Sequence, residues 1–166
     1  MSVEHRHVFI LRSGHPEHTQ ILPNLLVGQY PALDDAEWLS TVHGVTAILS
    51  LQDDADLASK CLNLRDLGHS YRRHNLQFHR MPVPDCDPEA FATRLDDIVA
   101  LLGELLRKGE RVYLHCNAGM NRAPTVAIAY LHAEHGLSLQ AARDFVKERR
   151  HCVPYMQLLQ TRYGTP

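Results

Sequence analysis

The sequence has little cysteine, few aromatics and no marked excess of either charge. Only Cys61, Cys86, Cys116 and Cys152 occur among 166 residues, and no two form a CxxC pair. That is too sparse for a disulfide scaffold, so reduced thiols are expected. Twelve histidines are present, but no HExxH or Cys/His framework surrounds them, and no metal site is expected. Lys plus Arg is 17 against 19 for Asp plus Glu, a net charge of −2. That balance lacks the basic excess that grips nucleic acid or an anionic membrane. Apolar runs such as residues 98–102 are far too short to span a bilayer. The first residues, MSVEHRH, do not make a signal peptide. An intracellular, cytoplasmic protein is the simplest expectation.

What is present suits one globular domain. Hydrophobic residues make up 45% and charged residues 22%, enough for a core and too ordered a balance for a disordered chain. Residues 1–20 are polar and His-rich around Val8-Phe9-Ile10-Leu11, and read as an arm or a first strand; the domain proper is expected over 21–166. Residues 21–28 (ILPNLLVG) and 45–51 (VTAILSL) read as strands. A helix capped by Asp34 or Asp35 runs to about Val42. Residues 53–75 are helical in character, and 77–81 form a brief strand. Pro82, Pro84 and Pro88 forbid regular structure in the loop that carries Asp85, Cys86 and Asp87. Leu95, Ile98, Val99, Leu102, Leu105 and Leu106 place 89–108 on an amphipathic helix. Residues 112–115 are a strand, and 123–135, 138–150 and 154–163 are helices. Strands alternating with helices, then a helical end, predict an α/β layered fold.

One stretch carries chemistry: Val112-Tyr113-Leu114-His115-Cys116-Asn117-Ala118-Gly119-Met120-Asn121-Arg122-Ala123-Pro124-Thr125. It reads strand, loop, helix. A cysteine at the strand end then faces the N-terminus of a helix, where backbone N–H groups and the dipole favour an anion. Gly119 lets the backbone close around a ligand, and Asn121 is a residue type that tolerates left-handed angles. Arg122 offers a planar fork suited to two phosphate oxygens. Pro124 fits a first helical turn. A lone strand cysteine would more often be core packing; the neighbours make Cys116 a candidate nucleophile.

The pattern His115-Cys116-x-x-Gly119-x-x-Arg122 resembles the HCxxGxxR signature of the cysteine-dependent phosphatases, in their compact dual-specificity branch. Ile21-x-Pro23-x-Leu25-x-x-Gly28 is similar to the start of that domain, and Phe145 to Pro154 to its closing segment. The resemblance implies an α/β single-domain cysteine-phosphatase fold, a central mixed sheet with helices on both sides. It implies a phosphocysteine intermediate, no cofactor and no metal. Cys116 would be the nucleophile and Arg122 the phosphate clamp. Asn117, Ala118, Gly119, Met120, Asn121 and Arg122 would bind phosphate through their N–H groups, and His115 would support the loop. A general acid is needed on a separate loop. Asp85, 31 positions before Cys116, is favoured over its neighbour Asp87.

Two features bear on the substrate. Most family members carry Ser or Thr directly after the arginine, and here Ala123 stands there. The second chemical step is therefore expected to be slow or helped by another group. Ala123-Pro124 and the run Leu51-Gln52-Asp53-Asp54-Ala55-Asp56-Leu57 resemble the glucan phosphatases of the starch-excess type. The expected partner is a phosphorylated protein or a phosphoglucan, not nucleic acid or membrane. Tyr30, Trp38 and Tyr155 are the aromatics available to a sugar groove, with Trp38 more readily a helix anchor. A phosphate-reading module with weak turnover is the contrasting expectation. Arg72-Arg73 and Lys147-Arg149-Arg150 read as solvated helix faces. Cys86, next to Asp85, is a candidate redox partner for Cys116.

Overall fold

The structure, a computed structural model, describes residues 14–164. The Val8–Leu11 patch of the expected arm lies outside them. Among the described residues, five strands form one sheet: β1 (His18–Leu22), β2 (Leu25–Gly28), β3 (Ala47–Ser50), β4 (Gln77–Arg80) and β5 (Val112–His115). The strand order is β1-β2-β5-β3-β4, with β1 antiparallel to β2 and the other pairs parallel. The sheet is therefore mixed.

Strand alternation divides the core into two layers. Leu25 and Val27 of β2, Ala47 and Leu49 of β3, and Val112 and Leu114 of β5 face one layer. There they meet α4 (Pro88–Arg107), α5 (Arg122–His135), α6 (Leu139–Arg149) and α7 (Met156–Tyr163). Leu26, Ile48 and Tyr113 face the other layer, with α1 (Asp35–Thr41), α2 (Asp54–Ser59) and α3 (Leu64–Arg73). Helices thus cover both faces, as expected.

Local chemistry sets the helix ends. Asp87 accepts from the Ala90 amide and Pro88 opens α4, whose buried Phe91, Leu95, Ile98, Val99, Leu102 and Leu105 recur every three or four residues. Ser138 caps α6 through the Ala141 amide, and Gly136, at φ 68°, closes α5. Two expectations need correction. Residues 21–28 are not one strand: Pro23 and Asn24 turn the chain between β1 and β2, because proline has no N–H for a ladder. Residues 53–75 are two helices, since Cys61 at φ 54° and the Asn63 cap, which accepts from the Asp66 amide, break the run.

The parallel strands β2, β5 and β3 end side by side, with Gly28, His115 and Ser50 in register. Loops at such carboxyl ends form binding crevices in open α/β sheets, and the Cys116 loop starts there.

Candidate active site

Cys116 leaves β5 and is 3% exposed; Arg122 opens α5 and is 1% exposed. Between them the loop is organised by its carbonyls. His115 donates Nδ1–H to the Cys116 carbonyl at 2.9 Å, which sets the tautomer of that ring. The Tyr30 amide donates to Asn117 O at 3.0 Å and the Val153 amide to Met120 O at 2.8 Å. Arg150 donates from Nε to Gly119 O at 2.8 Å and from Nη2 to Ala118 O at 3.3 Å. Asn121 O accepts from the Thr125 amide and hydroxyl. The carbonyls of 116–121 are all bonded. Among the described residues, no protein group accepts from the N–H groups of 117–122. That polarity is what an anion requires.

Two glycines permit the loop's position. Gly119 has φ 67°, and a Cβ there would lie 2.6 Å from the Gly28 carbonyl carbon. A Cβ on Gly28 would lie 2.5 Å from both His18 Cβ and the Tyr113 hydroxyl. The loop thus lies directly on the end of β2.

Arg122 is gripped from behind. Its Nη1 donates to Asp56 Oδ2 at 2.6 Å and to Val83 O at 2.8 Å. Asp56 Oδ1 also accepts from Asn117 Nδ2 at 2.8 Å, and Asn117 Oδ1 accepts from Gln52 Nε2 at 2.8 Å. Asp56 is itself held in a reciprocal capping box with Asp53 at the start of α2. Burial works against both charges. For Arg122 it is outweighed by the Asp56 hydrogen bond and the charges of Cys116, Asp56 and Asp85, which raise its pKa above the ordinary value. For Asp56 it is outweighed by the hydrogen bonds from Arg122 and the Asp53 amide, which lower the pKa.

Asp85 and Asp87 separate in space. Asp85 Oδ1 stands 3.6 Å from Arg122 Nε, and its side chain is 47% exposed. Asp87 is occupied as the cap of α4. Cys86 is exposed, at φ 56°. Ala123 is fully buried, and the Thr125 hydroxyl two residues on is engaged with Asn121 O and the Tyr155 amide. Of the three aromatics, Tyr30 is bonded to the loop and Tyr155 lies near Asp85, whose charge adds to burial in raising the Tyr155 pKa. Trp38 stacks on His15 at 4.1 Å and packs against the second core layer.

Sequence reasoning missed three supports. In the sequence Asp56 stands only within a motif run, with no role of its own. Arg150 is no solvated cation: it is 3% exposed and bound at the loop carbonyls. Its partner Glu17, bidentate at 2.9 Å, lies before the expected domain start at residue 21.

Comparison with known proteins gives the family. The family model described as "Dual specificity phosphatase, catalytic domain" matches residues 26–161. The chain belongs to that family. It is 30% identical over 154 residues to laforin of Mus musculus, covering 85% of this chain and 47% of laforin. It is 30% identical over 146 residues to phosphoglucan phosphatase DSP4, amyloplastic, of Castanea sativa, covering 85% of this chain and 38% of that protein. Dual specificity protein phosphatase 1-A of Xenopus laevis is 28% identical over 134 residues, covering 81% and 32%. The chain thus spans less than half the length of these relatives. Among solved structures, Tk-PTP in its active form shares the fold, with a TM-score of 0.74 at 23% identity over 87% of this chain and 95% of that one.

Proposed function

We propose that this domain hydrolyses phosphate monoesters through a phosphocysteine intermediate, acting on phosphotyrosine and phosphoserine or phosphothreonine in proteins. The observation that carries this reading is the loop's polarity: carbonyls 116–121 bonded away, N–H groups 117–122 left for an anion between Cys116 and Arg122. In that cradle the N–H groups and the Arg122 fork hold three phosphoryl oxygens and stabilise the charge of the transition state. The Cys116 thiolate attacks phosphorus. An S–P bond forms as the P–O bond to the substrate breaks, and the leaving oxygen takes the Asp85 carboxyl proton. Water then attacks the phosphocysteine and gives its proton to the Asp85 carboxylate. The S–P bond breaks, releasing inorganic phosphate and restoring the thiolate. No step calls for a metal or cofactor.

A second substrate reading, phosphoglucan, is favoured by the relatives named laforin and phosphoglucan phosphatase and by Ala123-Pro124 after the arginine. The mechanism is the same for either. The thiol chemistry suits a reducing compartment, and we place the domain in the cytoplasm on that ground.

Phosphate release from a small aryl phosphate, with a chelator present, tests the proposal. Wild type should be active and Cys116→Ser at background. Asp85→Ala should lose about 100-fold or more, the usual share of a general acid. Faster release from phosphorylated amylopectin than from phosphopeptides moves the substrate to carbohydrate. No release from any substrate makes the cradle a phosphate-reading module instead.

A further inference from the structure

Beside the cradle, a groove of about 770 Å³ opens between the first turns of α4 and the helix α7. Pro88, Ala92, Pro154, Tyr155, Met156 and Leu158 make its apolar walls. Glu89, Gln157, Thr161 and Arg162 also line it, and Arg162 is paired with Asp96.

The groove joins the catalytic cleft through one residue. The Tyr155 amide donates to Thr125 Oγ1 at 2.8 Å, and that hydroxyl donates to Asn121 O of the loop at 2.6 Å. The Tyr155 ring stands edge-on to Phe91 at 6.0 Å, so both its ends are fixed. Pro88 follows Asp85 by three positions, with the Asp87 cap between them. One wall of the groove is therefore built on the loop that binds phosphate, and the other continues from the segment that holds the acid.

We propose that this groove takes an apolar side chain of the phosphorylated substrate itself: a leucine- or phenylalanine-like residue of a phosphopeptide, close in sequence to the phosphorylated one. The proposal rests on the phosphate-monoester reading. The cradle fixes the phosphoryl end, so the chain next to it must run past Tyr155 or away from it. Apolar walls gain only from an apolar occupant, which releases water from both surfaces. A glucan needs a hydrogen-bond partner for each buried hydroxyl; the side chains of Pro88, Ala92, Pro154, Met156 and Leu158 offer none, which leaves Glu89, Tyr155, Gln157, Thr161 and Arg162 to meet a whole sugar ring. An anionic headgroup would meet Glu89 and find Arg162 already paired.

The test uses the full chain carrying Cys116→Ser and fluorescence anisotropy with labelled phosphotyrosyl hexapeptides. One flanking position at a time is set to Leu, Phe, Ser or Glu. At one position Leu and Phe peptides should bind about tenfold tighter than Ser, as burial of one large side chain gives. Adding Thr161→Trp, which fills the groove from an exposed site, or Ala92→Glu, which charges it, should remove that preference. Equal affinities at every position overturn the proposal, as does binding of no peptide. Displacement of every peptide alike by maltoheptaose or by phosphoinositide vesicles also overturns it. Aryl phosphate hydrolysis by the wild type is read separately: its absence refutes catalysis, while the peptide preferences still decide the groove.

Discussion

Arg122 and Asp56, 66 positions apart in the chain, meet at 2.6 Å with both side chains buried. Their pair joins the Cys116–Arg122 loop to the start of α2. Removing one partner leaves the other charge buried alone. Asp56→Ala should therefore cost about 3 kcal/mol or more in denaturant unfolding. It should also lower kcat/KM for an aryl phosphate by more than about tenfold, since a clamp that shifts loses its alignment. Asp56→Asn keeps one acceptor and should lose less of both. The sign with pH follows from the lowered Asp56 pKa. In acid the unfolded state takes up the proton first, from about pH 4. The contribution is thus present above that pH and lost as pH falls through the lower folded value. Acid unfolding of Asp56→Asn should show a shallower slope there.

Arg150 acts on the same loop from its other side, holding two carbonyls while Glu17 holds it. A lysine has no fork to span these acceptors. Arg150→Lys should weaken competitive inhibition by vanadate and lower kcat/KM by about tenfold. Glu17→Gln should fall between it and wild type, because the amide oxygen still accepts one bond. Inhibition constants and steady-state rates measure both.

Gly119→Ala should be more damaging than either. The new methyl would meet the Gly28 carbonyl at 2.6 Å, backbone that has no rotamer to yield, at a φ of 67°. A loss of about 2 kcal/mol or more in stability and about 100-fold in kcat/KM is expected. Thermal unfolding beside the aryl phosphate assay measures the two losses together.

His43 gives a second pH effect, remote from the chemistry. It packs at 4.3 Å from Trp38, with His18 at 4.6 Å on another side. Burial, then the nearby His18, Arg111 and His15, lower its pKa from the ordinary 6.5. The folded state resists that proton. Stability should be full above pH 6.5 and decline as pH falls through the lower folded value. His43→Gln should flatten that decline in thermal unfolding. Trp38 is the sole tryptophan, so its fluorescence follows the cluster directly.

Much of this was legible in one dimension. The spacing from His115 to Arg122 marks the loop, and the heptad-like spacing of Leu95 to Leu105 marks α4, because both depend on neighbours in sequence. The hairpin at Pro23-Asn24 is hidden because its apolar flanks read as one continuous run. Arg150 is hidden for a similar reason: beside Lys147 and Arg149 it looks like any helix-end cation, and only Glu17 and the loop carbonyls distinguish it. In one dimension the Pro84-Asp85 step and the spacing to Cys116 favour Asp85 over Asp87. The structure separates them, one facing Arg122 and the other capping α4.

The sequence by itself determined the nucleophile candidate, the loop from it to Arg122 and the layered α/β plan. These rest on local rules: a strand-loop-helix in which glycine and arginine occur at set steps, and periodicities of two and 3.6 residues. The tertiary structure alone decided what holds that loop in shape. Asp56, Glu17, Arg150 and Tyr155 reach it from distant parts of the chain. A buried charge or carbonyl finds its partner by proximity in the folded core, and no spacing along the chain encodes that.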